Sequence, residues 1–586
     1  MDTPVDYSQF NEGKDVNYWE LDRTLQYELE RIYGDDEFAW GEPRLSEFGE
    51  AVGHTMAENA DVIDDHGPEL RTYDRDGDVV NEIEYHPAQF ENERLMHEHG
   101  TIADVFHAPP GRDEPMPHGH SIAMEHLLSY VDTGLGCPTG MTAAAAMVFE
   151  QFDHDETLDR YFEGATARDY DDAMLSAMFL TEKQGGSDVG ATETVARRAD
   201  DGTWRLTGEK WFCSNLDAEF VFTLGRFEDG DPGTEGLGMF LLPRRKPNGE
   251  RNDYYFRRLK DKLGTISVPT GEVELDDTFA YLFGEADRGF EYMSLMLNRS
   301  RLAVAAWSTG IIGRALLESK IHAANREAFG KRLDEHALMR ADLVDMAVDY
   351  EAAVAFLYDT ADHFDRWARA DDDDAYRAMR LLLSTSKFRI ARTGVDAASY
   401  GMEILGGNGY VNGFVTERLF RDAQVHPIWE GTTNMLALDV VRAIGREDAH
   451  EPVLSIVDDR LDDVTHPALE DLAATVEDER DGLAAAIAEI EASDRDYAEL
   501  HSKELTHYVF DVYTAALLLA EAQARLDAEG DARKALVAER FVETYLRSRS
   551  ERGITSGDEL PIDAFDAIVR YATAEPDLLD ATPAAQ

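Results

Sequence analysis

A single interruption in an otherwise helical pattern limits the architectures open to this chain. Between Ser176 and Phe283, short runs of β-formers (Trp204 to Leu206, Phe220 to Leu224, Met239 to Leu242) alternate with Gly, Asp and Pro turns, the pattern of a compact antiparallel β domain. Upstream, Ser121 to Leu128 and Met141 to Gln151 have helix-forming composition. Downstream of Gly284, the stretches Met293 to Glu318, Met339 to Ala361 and Tyr376 to Leu405 are long, Ala-rich and apolar at three- and four-residue intervals, which predicts a helical bundle. Leu469 to Ile490, Leu505 to Leu526 and Ala532 to Leu546 add further helices. The run of Asp from Asp371 to Asp374 reads as an inter-helix turn. Strand and helix never alternate, which argues against a doubly wound nucleotide fold. The near-GxGxxG stretch Gly134 to Gly140 (GLGCPTG) has the wrong spacing and no strand before it.

The expected fold class is therefore α+β and multidomain. It has a mainly helical N-terminal domain (1–175), a central antiparallel β domain (176–283), a four-helix bundle (284–445) and a helical C-terminal extension (446–586).

Charge narrows the function classes. The chain has 118 Asp and Glu against 56 Lys and Arg, a net of −62 spread along its length. Aromatic residues at 10% and an apolar fraction of 43% argue for folded cores rather than disorder. Such a surface fits a halophilic protein kept soluble by its charge. It opposes nucleic-acid binding, which needs a basic footprint. The two cysteines, Cys137 and Cys213, form no CxxC or Cys/His ligand pattern, so neither a disulfide scaffold nor a metal site is expected. MDTPVDYSQF has no secretion-type pattern, and apolar stretches such as Val512 to Ala520 are too short to span a bilayer. A cytoplasmic protein without a membrane partner is expected.

Five segments carry candidate chemistry. LTEKQGGSDVG (Leu180 to Gly190) pairs adjacent glycines with Thr, Ser and Asp, suiting a backbone that approaches a ligand closely and offers N–H groups to phosphate. By its composition alone it reads sooner as a surface turn. GEKWFCSN (Gly208 to Asn215) alternates like a strand, with Cys213 more suited to packing than to reaction. Arg326, ahead of Phe329-Gly330, has the planar fork that grips phosphate, or is a solvated helix-end Arg. In Glu403 to Tyr410 (EILGGNGY), the glycines predict a left-handed helix end. Last, RDAQVHPIWEGTTNMLAL (Arg421 to Leu438) sets Glu430 in a short turn before an apolar helix. A Glu there is a dipole-stabilised surface residue or, in a dry site, a base.

Together, in this order and spacing, these segments resemble the acyl-CoA dehydrogenase family of flavoproteins over nearly the whole chain. The resemblance implies FAD as cofactor. Its flavin contacts would come from Leu180, Thr181, Gly186, Ser187, Phe212, Cys213 and Ser214, from Arg326 and Phe329 across a subunit interface, and from Glu403, Gly406, Gly407, Thr432 and Asn434. It makes Glu430 the catalytic base at the substrate α-proton. Ser187, Arg301, Trp429 and Gly431 would contact the acyl-CoA. Other branches hold the base on an earlier helix just before an Arg, but that position here is Ser300. Lys183-Gln184 and Glu403 depart from the residues many members carry.

The alkylation-response (AidB-like) branch is most similar. Pro68-Glu-Leu with Tyr73 and His86-Pro87, Cys137-Pro-x-Gly-Met-Thr142, Thr181 to Val189 and Leu259 to Gly264 carry this likeness, as do the extra C-terminal helices with Lys503 to His507. It implies a homotetramer, an electron-transfer flavoprotein as acceptor, and weak activity on short or branched acyl-CoAs. Two other functions stay open: a flavin-containing nucleic-acid protection protein with little turnover, and an acyl-CoA oxidase. From Glu451 onward there are 12 Lys and Arg against 32 Asp and Glu, which makes nucleic acid an unlikely partner. The cluster Arg540, Arg547, Arg549 and Arg552 is its one basic feature.

Overall fold

The computed structural model describes residues 4–370, 372–547 and 559–579. Contacts divide the chain into two compact units, Pro43–Ala303 and Met1–Glu42 with Val304–Gln586. The grouping cuts across the sequence segments, because Met1–Glu42 belongs with the C-terminal helices rather than with the rest of 1–175.

In the unit Pro43–Ala303, the helices His118–Leu128 and Thr133–Gln151 contain the two stretches read as helical. The same segment also holds a hairpin, β1 (Glu69–Tyr73) against β2 (Val79–Glu84). Then follow β3 (Ser176–Phe179), β4 (Val195–Arg198), β5 (Trp204–Ser214), β6 (Phe220–Phe227), β7 (Leu237–Pro243), β8 (Tyr254–Leu259) and β9 (Thr270–Leu282). They form one sheet in the order β3-β6-β4-β5-β9-β7, with β8 on β9 and a further β6–β7 pairing that closes it.

Most neighbours are antiparallel, as expected. The exceptions are β3–β6 and β4–β6, which run parallel. The cause is the segment between β3 and β4: parallel neighbours need a crossover rather than a tight turn. LTEKQGGSDVG opens the crossover from β3 to β6: β3 and β4 follow one another along one edge of β6, at Phe220–Thr223 and Arg226–Phe227, and β7 takes the other edge. Strand β7 is buried along its whole length, which explains its unbroken apolar run LGMFLLP. Phe149 of Thr133–Gln151 packs on this sheet, with Phe222 and Phe283 each 5.4 Å away between ring centroids.

The other unit contains the end of the helix Gly289–Asn325, then Ala337–Ala370, Asp373–Leu405, Val415–Ala423 and Thr433–Glu447. The extension follows as His450–Asp462, Glu470–Ala492, Arg495–Glu529 and Arg533–Tyr545. Asp371 lies outside the described residues. The rest of that Asp run starts a helix: Asp372 is the N-cap, accepting from the amides of Asp374 and Ala375, and Asp373 and Asp374 form the first turn. A capping carboxylate and acidic first-turn residues both favour helix initiation.

The extension is joined to this unit by buried charge. Lys534 lies 2.8 Å from Glu521 and 3.2 Å from Glu351. Arg460 pairs with Asp359 at 2.7 Å, which also receives Arg31 from the helix Arg23–Ile32. Buried charges persist only when paired, so residues distant in sequence are tied together here. Arg540 pairs with Asp345 at 2.7 Å, and Arg547 with Glu543 and Asp471. The described part of the basic cluster is thus matched by carboxylates, while Arg549 and Arg552 lie outside the described residues. No helix among the described residues is long and apolar enough to cross a membrane.

Candidate active site

The crossover Leu180–Gly190 is held from within by Glu182. Its carboxylate accepts from the Thr194 hydroxyl at 2.6 Å, the amides of Glu193 and Thr194 at 2.7 and 3.1 Å, and Lys210 Nζ at 2.8 Å. Burial by itself would raise this carboxyl. The Lys210 ammonium and the hydrogen bonds around it prevail and hold it down to about 2. Lys210 belongs to GEKWFCSN, and the Trp211 amide donates to the Thr181 carbonyl at 2.9 Å. Two of the sequence candidates are thus one structure. With Glu182 fixing both ends, Gln184, Gly185 and Ser187 stand exposed and Thr181 and Gly186 half-buried.

Along β5 the side chains divide by face. Phe212 is 55% exposed and Cys213 fully buried, while Ser214 meets Thr270 at 3.0 Å. The register of β5 against β9 shifts between Lys210 and Cys213, a bulge of the kind that re-aims a side chain. Burial pushes the Cys213 thiol up, so its side chain packs the sheet interior and presents only backbone to a ligand. Lys260 Nζ lies 3.8 Å from the Trp211 ring centroid and 4.6 Å from that of Phe212, a cation–π pairing that sequence spacing did not suggest.

In the helical unit, Glu430 and Gly431 take consecutive positive φ angles of 52° and 102°. That backbone is costly for a side-chain-bearing residue such as Glu. Three residues that sequence reasoning missed hold it. His426 is fully buried and stacks on Trp429 with 5.6 Å between centroids. Trp307 meets the same indole edge-on at 5.5 Å. Lys387, from Asp373–Leu405 and fully buried, donates to the Gly431 carbonyl. Ser308 donates its hydroxyl hydrogen to Val304 O at 2.7 Å, so the 2.8 Å bond to His426 Nδ1 has the imidazole as donor. Burial, reinforced by the Lys387 charge, pushes His426 down to about 3, which keeps the ring neutral. Trp429 Nε1 is buried with no acceptor among the described residues, a donor suited to a ligand oxygen.

The remaining candidates sit at element ends. Arg326 is exposed just before β10 (Glu327–Ala328), which pairs with β11 (Lys331–Arg332) through the two-residue turn Phe329-Gly330. Both turn residues have positive φ, and Phe329 is 98% exposed. A bulky residue in that conformation on the surface marks a strained tip. Gly406 ends Asp373–Leu405 with φ 64° and ψ −139°. This corrects the expected left-handed helical end: the pair lies in a region only glycine visits readily. Glu403, Gly406 and Gly407 are exposed, as are Thr432 and Asn434 at the start of Thr433–Glu447. Arg301, half-buried, falls in the unit Pro43–Ala303, as does the buried Ser300.

Family models match along the chain in the same order. Residues 8–172 match the adaptive response protein AidB N-terminal domain, 177–278 the acyl-CoA dehydrogenase middle domain and 287–445 the acyl-CoA dehydrogenase C-terminal domain. A putative acyl-CoA dehydrogenase, AidB, of Escherichia coli (strain K12) is 32% identical over 426 residues, 71% of this chain and 76% of that protein. The chain belongs to the acyl-CoA dehydrogenase family. Acyl-CoA dehydrogenase family member 11 of Caenorhabditis elegans is likewise 32% identical, over 73% of this chain and 70% of its own length. A crystal structure of C. elegans ACDH-11 in complex with C11-CoA superposes with a TM-score of 0.85 at 26% identity, covering 94% of each chain. For this acyl-CoA dehydrogenase, the AidB-type N-terminal match supports the branch read from its motifs.

Proposed function

We propose that this protein is an FAD-dependent acyl-CoA dehydrogenase that forms a Cα–Cβ double bond in an acyl-CoA thioester, of short or branched chain. One observation carries the reading: Glu430 sits in a strained left-handed turn braced on both sides, Trp429 by His426 and Trp307, Gly431 by Lys387. Strain kept in place by its surroundings is a mark of functional backbone. The Glu430 carboxylate takes the α-proton, and Trp429 lines the acyl group. Gly431 leaves room for the thioester, with Ser187 and Arg301 as further substrate contacts.

The residues present fit a flavin nucleotide. The buried Trp429 N–H seeks an oxygen acceptor. The bare backbone at Gly186, where an added Cβ would stand 2.6 Å from Thr181 Oγ1, suits close approach by a phosphate group. Leu180, Thr181, Gly186, Ser187, Phe212, Ser214 and the Cys213 backbone would hold it on the sheet unit. Arg326, Phe329, Glu403, Gly406, Gly407, Thr432 and Asn434 would do so on the helical unit. Bound FAD supplies the acceptor for the β-hydride. An electron-transfer flavoprotein is the proposed onward acceptor, a cytoplasmic homotetramer the proposed assembly, and a halophilic host the proposed setting for the −62 charge.

The test is an anaerobic titration of the flavin-loaded protein, in multimolar salt, with straight and branched acyl-CoAs, a C11 thioester included. Rapid bleaching of the visible flavin band with one thioester establishes the activity and names its substrate class. A yellow protein that no acyl-CoA bleaches overturns it.

A further inference from the structure

We propose that Lys387 is a positioning residue: its bond to the Gly431 carbonyl fixes the left-handed turn from which the Glu430 carboxylate acts. The inference rests on the reading of Glu430 as the base and adds a residue that acts on the backbone of its turn.

Four observations lead to it. First, the turn carries two consecutive positive-φ residues, Glu430 and Gly431. Gly431 would relax readily into other conformations and carry Glu430 with it, since glycine has the widest backbone freedom. Second, the following helix Thr433–Glu447 has Thr432 at its N-cap without a side-chain cap bond. Entry into that helix is therefore not fixed by the usual device, in contrast to Asp373–Leu405 with its Asp372 cap.

Third, Lys387 is fully buried on its helix, one turn beyond the buried Ser384. A buried ammonium is strongly held to whatever oxygen it reaches, because leaving that oxygen means losing a charge-assisted hydrogen bond without water in exchange. Here that oxygen includes the Gly431 carbonyl. Fourth, the adjacent Phe388 forms a buried cluster with Leu436 and Ala437 of Thr433–Glu447. Two successive residues of one helix thus grip the backbone on either side of Thr432, one at the turn and one on the helix it feeds. Trp429 is independently held by His426 and Trp307. The freedom left to Glu430 is then set largely by the Gly431 side, where Lys387 acts.

The experiment compares Lys387→Met, which keeps the bulk of the chain and removes the donor, with Glu430→Gln and the parent, all flavin-loaded. The expected result for Lys387→Met is retained flavin and a kcat lower by about 100-fold at a KM within twofold, the size of effect a misplaced catalytic group produces. Amide exchange, followed by mass spectrometry on peptides covering 424–433, should quicken in that segment while the rest of Asp373–Leu405 stays protected. A parent-like kcat in folded Lys387→Met overturns the inference. So does a kcat loss that comes with flavin loss and faster exchange along the whole helix, since that describes a merely structural lysine.

Glu430→Gln separates this inference from the reading beneath it. If that variant reduces its flavin at the parent's rate, the base reading falls and takes the inference with it. If it is inactive while Lys387→Met is parent-like, only the inference falls. Should Lys387→Met fail to fold, Lys387→Arg serves, keeping the charge but displacing the donors. A lowered kcat at unchanged KM supports the inference, and a parent-like kcat with unchanged exchange overturns it.

Discussion

Two irregular segments, one in each compact unit, are each held by a buried lysine, and the lysines meet different parts of the segment they hold. In the crossover Leu180–Gly190, Lys210 binds the carboxylate of Glu182 and turns a glutamate into a fixed post. In the turn Trp429–Gly431, Lys387 binds a backbone carbonyl one residue beyond a glutamate. The first arrangement consumes its carboxylate in structure: Glu182 accepts from five donors around it. The second places its cation on the main chain of the turn among its contacts. Glutamates from two recognisable motifs therefore have different fates, decided by what the lysine touches and not by the glutamate's own neighbours in sequence.

The comparison breaks first at Glu430. Glu430→Gln should keep bound flavin yet lose flavin reduction by substrate, by about 10²–10⁴-fold or more, the span a general base contributes. Stopped-flow bleaching measures it, and normal reduction in that variant would end the base reading.

Next come the lysines themselves, whose effects should cross. Lys210→Met leaves a buried carboxylate without its cation, which costs about 3–5 kcal/mol in comparable buried pairs. Lys387→Met leaves a half-buried carbonyl short of a donor, a cost at the low end of about 1–3 kcal/mol. Chemical denaturation should therefore rank Lys210→Met as the less stable protein. Turnover per bound flavin should rank the other way, with Lys387→Met the slower enzyme. If both quantities fall in the same order, the two lysines do the same job and the distinction fails.

Acid sharpens the same contrast. The Glu182 carboxyl is held down to about 2 from its usual 4.5. Its folded value is depressed, so its contribution to stability is complete above about 4.5 and is lost as pH falls toward 2. Flavin release, followed by the rise in free-flavin fluorescence, should gain on the parent's neutral-pH value across that window. In Glu182→Gln this acid-dependent component should be absent. His426, pushed down to about 3, stays neutral until the same acid range, so no inflection near the ordinary histidine value should come from that ring.

What the sequence disclosed follows the range over which each feature is encoded. The long helices were visible because Met339 to Ala361 and Tyr376 to Leu405 repeat their apolar residues every three or four positions. The helices run further than the pattern, through polar ends such as Asp362 to Ala370. The sheet was visible as strands but not as a topology, because nothing local in β3 and β4 says that both lie beside β6. Glu182 and Lys210 stand in two separate motifs, so their pairing was open to inference and was not drawn. Lys387 left a fainter mark, a lone cation in the buried run LLLSTSKF. The network of Arg31, Glu351, Asp359, Arg460, Glu521 and Lys534 left none, since its members are up to hundreds of positions apart and each reads as an ordinary surface charge.

The smallest effect expected is at Gly186, where the crossover has no space to spare. A Cβ added there would meet Thr181 Oγ1 at 2.6 Å and Thr181 Cγ2 at 3.2 Å, closer than van der Waals contact permits. Thr181 cannot withdraw its backbone, because its carbonyl holds the Trp211 amide, but its side chain can turn. Gly186→Ala should therefore fold with a modest loss, about 1 kcal/mol at the low end of overpacking costs, and bind flavin roughly fivefold less tightly, the same energy expressed as affinity. Adding Thr181→Ala removes the clash and separates two causes. If crowding alone weakens binding, the double variant regains both stability and flavin. If the Thr181 hydroxyl itself contacts the cofactor, stability returns and affinity does not. Equal flavin affinity in the parent and Gly186→Ala would show that this stretch of the crossover lies away from the cofactor, leaving Glu182 and Lys210 to brace a loop with another purpose.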